Sequence, residues 1–448
     1  MVAGIDPARL NAVFEREYRE FVARTPKSAA LIARARDVMP DGVPMAWMAG
    51  LFAHPPICAV GGEGSAFEDA DGNRYIDFNL ADLSNTIGYG PTAVSRLTAE
   101  TAARGVQYLM PSEDAIAVAE ELKRRTGFRF WQYTLSASQA NTEIIRIARA
   151  MTGRQKVVVF QGKYHGHLDT TLAEDGPPDA LGLAPASVRD TVVIPFNDPD
   201  ALRAALAGGD VALVMTEPAL TNCTLVIAEP GFLTDAHALS RAAGTLFAFD
   251  ETHTWQFAYG GLAPGDGLTA DFLCLGKGLG TGVAFACYGM TAEIGAFVED
   301  QLESISRDRN GLAIGGTLFG NALSVSATRA GLDEILTEEG YARLARLGTR
   351  LADGLDGLIA RHGLPWRSFR LGPRAGFCLT PEAPRNYTEA KPSLDRSFSA
   401  ARRLFMANRG IWEAIISAAP QVGFAHEAAD IDRYVEVAGA FLDDVTGA

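Results

Sequence analysis

The chain has 448 residues, and its 54 acidic against 40 basic side chains give a formal net charge of −14, which argues against nucleic acid or an anionic membrane as principal partner. Its 48% hydrophobic and 21% charged residues are an ordinary globular composition, long enough for a large domain plus a smaller one. The five cysteines (Cys58, Cys223, Cys274, Cys287, Cys378) are scattered and form no CxxC pair, so they read as reduced thiols, neither a disulfide frame nor a zinc site.

Charges run through the N-terminal stretch and no 18-residue apolar run occurs, so a cytoplasmic chain without a membrane span is expected. Residues 6–24 place Leu10, Phe14, Tyr18 and Phe21 at helical spacing. "PDGVPMAWMAGLFAHPP", 40–56, contains no Lys or Arg and reads as an irregular loop. Residues 57–78 read as strand, turn, strand around Asp71-Gly72. "DADGN" within them starts like a calcium loop, but Arg74 and Leu80 stand where glycine and glutamate are needed.

From about residue 130 strands and helices alternate. "FWQYTL", "KVVVF", "VALVMTEP", "TLFAFDE" and "DFLCLGK" are short apolar runs suited to strands buried on both faces of a parallel sheet. Helices are expected at 139–151 and 232–243, giving an α/β layout. Helices at 321–336 and 341–361, short strands and a terminal helix suggest a second, α+β unit joined to the N-terminal segment.

Ligands of open α/β sheets bind beyond the carboxyl ends of the strands. Asp250, Lys277, Glu217 and the "SASQ" of 136–139 all fall at such ends. A glycine-flanked lysine ("LGKGLGTG") can approach a small molecule closely, and desolvation frees its amine for Schiff-base chemistry. It is no Walker loop, because glycine follows the lysine. A buried aspartate one strand away can keep a pyridinium nitrogen protonated. Ser136 and Gln139 have capping-box spacing at a helix start, where N–H groups point at an anion. In "GKYHGH", Tyr164 can stack on a ring. His165 and His167 lack a third ligand nearby, so no metal is expected.

In ordered combination, "DADGNRYIDF", "LSASQAN…RIARAMTGRQKVVVFQGKYHGH", "TEP", "FDETHT", "LGKGLGTG", "GGTLFGN" and "RGIW…AHEAADID" resemble the class III, fold-type I pyridoxal-phosphate aminotransferases, in the branch near glutamate-1-semialdehyde aminomutase and the β-amino-acid transaminases. The resemblance spans roughly 30–440. It implies a large domain with a mostly parallel sheet, 76–325, and a small α+β domain from 1–75 and 326–448. It implies that Lys277 holds pyridoxal 5′-phosphate as a Schiff base and carries the proton, that Asp250 pairs with the ring nitrogen, and that Tyr164 stacks on the ring. Ser136, Ala137 and Ser138 would bind the phosphate. His165, Glu217, Thr252 and His253 would line the cofactor, with Thr252 where valine is usual. Thr317 would reach the phosphate of a neighbouring subunit, which implies a homodimer.

Three departures stand out. "DETHTW" replaces the usual Asp-Glu-Val, which would put His253 beside the cofactor floor. "LSASQA" replaces Asn-Ser-Gly-Thr-Glu-Ala in the phosphate loop, and the N-terminal loop lacks the arginine that usually holds a substrate carboxylate. A more apolar substrate arm is expected, lined by Met45 and Trp47, with Arg374 as a candidate carboxylate partner and Glu413 as a partner for a substrate amine. The expected activity is amino transfer between an amine or amino-acid donor, such as a β-amino acid or apolar amine, and a keto acid or aldehyde. The alternatives are a 2,1-aminomutase or another isomerase or lyase on the same fold and, more remotely, a non-catalytic ligand sensor.

Overall fold

The computed structural model describes residues 2–173, 182–305 and 311–446. The chain forms two compact units. Unit 1 comprises Met1–Pro91, Ala342–Ala383 and Ala390–Ala448; unit 2 comprises Thr92–Tyr341 and Pro384–Glu389. Among the described residues no helix is long and apolar enough to cross a membrane.

Unit 1 opens with the helix Pro7–Arg24, started by Pro7 at its first position and by Asp6, whose Oδ1 accepts the Ala8 N–H at 2.8 Å. It buries Val13, Glu17 and Phe21, with the expected Leu10, Phe14 and Tyr18 half-buried beside them. Glu17 tolerates burial because Asn408 Nδ2 (2.8 Å) and Arg409 Nη1 (3.0 Å) donate to Oε2. The expected single hairpin at 57–78 is a three-stranded meander, β1 (Ala59–Glu63), β2 (Ala66–Asp69) and β3 (Arg74–Asp77). Gly64 sits at φ 60° in the extra turn.

In unit 2, β4 (Phe130–Thr134), β5 (Lys156–Phe160), β6 (Thr191–Ile194) and β7 (Val211–Thr216) are followed by a small hairpin, β8 (Ala219–Leu220) and β9 (Val226–Ile227). Then come β10 (Leu246–Asp250), β11 (Phe272–Leu275) and β12 (Ala286–Met290). Seven of these form one sheet in the order β4-β12-β11-β10-β7-β5-β6. Every pairing is parallel except the two made by β12. Residues 276–285 are too few for a crossover, so the chain turns back and β12 runs antiparallel. Val157, Val158, Val159 and all of β7 are fully buried, each large apolar side chain contributing roughly 1.5–3 kcal/mol. The helix Ala137–Thr152 covers this sheet with Ala140, Ile144, Ile145, Ile147 and Ala148.

Back in unit 1, β13 (Arg367–Leu371) and β14 (Arg374–Cys378) form a hairpin. The last strand, β15 (Ile411–Trp412), pairs in parallel with β3, so a strand from each end of the sequence closes one sheet.

Candidate active site

The carboxyl ends of β4, β11, β10 and β7 share one rim, since β4 and β11 are both antiparallel to β12. Asp250 ends β10 and is buried. Its Oδ2 accepts from Asn141 Nδ2 and from His165 Nδ1, both at 2.8 Å. Its Oδ1 accepts from the Thr252 backbone N–H at 3.0 Å and from Thr252 Oγ1 at 2.5 Å. Burial alone would push this carboxyl up, but the His165 and Thr252 hydrogen bonds outweigh it and hold it below the ordinary aspartate value. The result is an ionised carboxylate in a dry place. It fixes the proton of His165 on Nδ1, and His165 Nε2 has no hydrogen-bond partner among the described residues.

Lys277 follows β11 by two residues and opens the single turn Lys277–Gly280. Its φ is 47°, the left-handed region, flanked by Gly276 and Gly278. A non-glycine residue held there costs roughly 1–3 kcal/mol, and such strain collects at functional sites. A Cβ on Gly276 would meet Ala137 Cβ at 3.2 Å and Thr252 Cγ2 at 3.5 Å. The lysine turn, the helix start and the β10 end therefore touch.

Ser136 caps the helix Ala137–Thr152, with its Oγ accepting the Gln139 N–H at 3.4 Å; Gln139 Oε1 accepts the Leu135 N–H at 3.1 Å. The N–H groups of Ala137 and Ser138 lie in a first turn, where no intrahelical acceptor exists. Ser138 Oγ accepts the His167 N–H at 3.1 Å, and Gly166, at φ 93°, passes so close that a Cβ there would sit 2.1 Å from this hydroxyl. The loop after β5 is thus clamped onto the helix start, and Tyr164 stands on it with its side chain 38% exposed.

Glu217 follows β7 and is buried. Its Oε1 accepts the Tyr164 N–H at 3.2 Å, and its Oε2 accepts the Thr221 N–H at 3.0 Å and the Thr221 hydroxyl. Thr221 Oγ1 also lies 2.6 Å from His253 Nδ1. Burial pushes the Glu217 carboxyl up to about 7, with His165 and the Thr221 hydrogen bond opposing it. Glu251, equally buried and likewise raised to about 7, caps the next turn by accepting the Leu262 (2.7 Å) and Ala263 (2.8 Å) N–H groups.

The rim therefore gathers Ser136, Ala137, Ser138, Tyr164, His165, Glu217, Asp250, Thr252, His253 and Lys277. Thr317 is exposed elsewhere in unit 2, its carbonyl accepting from Gln107 Nε2 at 2.5 Å. The remaining four candidates belong to unit 1. Met45 and Trp47 are exposed. Arg374 is fully buried within β14. Glu413, expected to face a substrate amine, instead spends both oxygens internally, on Arg402 Nε at 2.7 Å and on the Tyr434 hydroxyl. Sequence reasoning missed Asn141 and Thr221. The signal for Asn141 was available: an amide on the buried face of an amphipathic helix needs a polar partner.

This donor set suits a flat, cationic, phosphate-bearing heteroaromatic ring. It offers a buried anion for the ring nitrogen, an aromatic side chain, first-turn N–H groups for the phosphate, and an amine. The comparisons agree in kind. Residues 51–367 match the model of the family described as Aminotransferase class-III. Glutamate-1-semialdehyde 2,1-aminomutase 2 of Halalkalibacterium halodurans is 32% identical over 430 residues, covering 92% of this chain and 97% of that one. A glutamate-1-semialdehyde-aminomutase variant from Pseudomonas aeruginosa PAO1, solved in complex with PMP, superposes with a TM-score of 0.92 at 34% identity, covering 99% of this chain and 100% of that one. A β-phenylalanine aminotransferase from Variovorax paradoxus gives 0.86 at 27% identity, covering 96% and 97%.

Proposed function

The chain belongs to the class III aminotransferase family, of fold type I with pyridoxal 5′-phosphate as cofactor, and from that premise we propose that it moves an amino group between carbon centres of small amine and carbonyl compounds. The observation that carries this is the ionised, buried Asp250 beside the strained Lys277 turn. In this reading Lys277 Nζ would hold the cofactor and, once the substrate amine has taken its place, would serve as the base that moves the proton between the nitrogen-bearing substrate carbon and the cofactor carbon joined to that nitrogen. Asp250 holds the proton on the ring nitrogen, and His165, Asn141 and Thr252 hold Asp250. Tyr164 and Thr252 would pack against the ring, while Ser136, Ala137 and Ser138 would receive the phosphate. When bound, the cofactor supplies an electron sink conjugated to the substrate nitrogen.

Similarity over most of the chain to glutamate-1-semialdehyde 2,1-aminomutases favours exchange of amino and carbonyl groups within one molecule. A second reading, aminotransfer between two molecules, is favoured by the absence of any Lys or Arg from Val38 to Asn73 and by the exposed Met45 and Trp47 there. The two are separated by supplying the loaded enzyme with glutamate-1-semialdehyde alone, and separately with apolar amines and β-amino acids plus a keto acid. Conversion without a second carbonyl compound supports the mutase; conversion only with one supports the transaminase. Activity surviving Lys277→Ala would refute both. In the transaminase case Trp47→Ala should change donor preference.

We infer a homodimer from an apolar surface of unit 2. Val106, Tyr108, Leu109, Met110 and Leu318 are 46–73% exposed beside Thr317, an unusual cluster for a surface facing water. On this reading Thr317 serves the partner's phosphate, and a monomeric holoenzyme in light scattering would refute it. The five cysteines are scattered and form no CxxC pair, which supports a reducing, cytoplasmic setting.

A further inference from the structure

Six residues near the C-terminal third of the sequence, Pro384–Glu389, belong to unit 2 although unit 1 holds the chain on either side of them. A dock is built for this strap. Asn197, at φ 62°, donates from Nδ2 to the carbonyls of Arg385 (2.8 Å) and Ile227 (3.0 Å), and its Oδ1 accepts the Glu229 N–H at 2.8 Å. Glu229 in turn pairs with the Arg385 guanidinium. The strap is also braced internally: Asn386 Oδ1 accepts the Glu389 N–H at 3.0 Å, and Glu389 Oε2 accepts the Arg385 N–H at 2.9 Å. What this bracing aims is Tyr387. Its ring lies against Gly162 so closely that a Cβ there would be 2.7 Å from Cδ2 and 3.0 Å from Cγ.

Gly162, at φ 80°, begins the loop that carries Tyr164. Farther along, the loop is held through Tyr164 N–H on Glu217, His165 on Asp250, and Gly166 and His167 on Ser138. At its start it leans on Tyr387. Tyr164 is 38% exposed and its ring meets that of His167 edge-on at 6.0 Å, and the backbone of this loop sets where the ring begins. We propose that Tyr387 is a positioning residue for Tyr164: the strap presses on Gly162 and thereby sets the height of the aromatic ring over the cofactor. This rests on the reading of Tyr164 given under Proposed function.

The test uses the full chain with Tyr387→Ala, Tyr387→Phe and Asn197→Ala, the last releasing the strap while leaving the Tyr387 ring intact. Two quantities are read: amide exchange of Lys163 and Tyr164 in the cofactor-free protein, and the dissociation constant of pyridoxal 5′-phosphate. Tyr387→Ala and Asn197→Ala are expected to speed exchange at those amides about tenfold and to weaken cofactor binding about tenfold. Tyr387→Phe, which keeps the ring, is expected to lie closer to the native protein than Tyr387→Ala in both. Unchanged exchange in Tyr387→Ala overturns the proposal whatever the cofactor does; should that variant not fold, Asn197→Ala decides in the same way. Faster exchange with unchanged cofactor affinity overturns the role assigned to Tyr164 and leaves the strap's hold on the loop standing.

Discussion

Replacing Lys277 removes the reactive amine, but the backbone makes a less obvious demand. At φ 47° any residue with a Cβ pays roughly 1–2 kcal/mol. Glycine escapes that cost, though it loses roughly 0.5–1 kcal/mol more chain entropy on folding than alanine does. The balance makes Lys277→Gly more stable than Lys277→Ala by about 0.5–1 kcal/mol. In an ordinary helix or strand the order would be reversed by a similar amount, so the sign is diagnostic. For a unit of roughly 250 residues, 1 kcal/mol shifts the melting temperature by about 2 °C. Calorimetry should be run on both proteins without cofactor, because a bound ligand stabilises by mass action and would mask the difference. Both variants should be inactive, with the glycine form melting about 1–2 °C higher. An alanine form that melts at or above the glycine form would refute a left-handed Lys277.

Asn141→Leu removes donors to the buried Asp250 carboxylate and to the His165 carbonyl, at 2.8 and 3.0 Å. A loss of about 3 kcal/mol in denaturant unfolding is expected, and a loss below about 1 kcal/mol would show that the pair is replaced by water. Glu217 is raised from an ordinary 4.5 to about 7 by burial, so the folded protein keeps a proton that the unfolded chain gives up. Its contribution is present below about pH 4.5 and is lost as pH rises to about 7. In Glu217→Gln the fall in melting temperature between pH 5 and 8 should therefore be shallower; parallel curves for the two proteins would count against it. Gly166→Ala would place a Cβ 2.1 Å from Ser138 Oγ at φ 93°, and should cost at least about 2 kcal/mol by the same unfolding assay.

Much of unit 2 was legible because its strands carry their own signal. Val157, Val158 and Val159 are branched and consecutive and run on into Phe160 between Lys156 and Gln161, and strand readings of this kind put Asp250 and Lys277 at carboxyl ends, where the structure has them. The strand Ala286–Met290, "ACYGM", has no such run. Its direction follows from the length of the connection before it, which only the paired partners reveal. The helix stripe at Leu10, Phe14 and Tyr18 was nearly right. Burial of Glu17 moved the face by one position, and that burial is made possible by Asn408 and Arg409 at the far end of the chain. Glu413 failed for the same reason: its partner Tyr434 lies 21 positions away and nothing local announces the pair. Residues that act at short range could be read from the sequence, and residues defined by a distant partner could not.

Unit 1 also has a history that its finished form conceals. Arg24 donates to the carbonyl of Asn408, 384 positions later, and β3, paired with β2 on one side, finds its second neighbour only in β15. At roughly 5–20 residues per second, a ribosome needs about 20–80 s between making the helix Pro7–Arg24 and making the helix Arg396–Asn408 that packs on it. Until then the stripe from Leu10 to Phe21 is covered only in part, by early unit-1 residues such as His54, whose ring lies 4.3 Å from that of Phe21, and Phe67. The continuous stretch Thr92–Tyr341 has meanwhile emerged nearly whole. The helix Pro7–Arg24 therefore completes its packing late, once residues 396–412 of the same unit have been made.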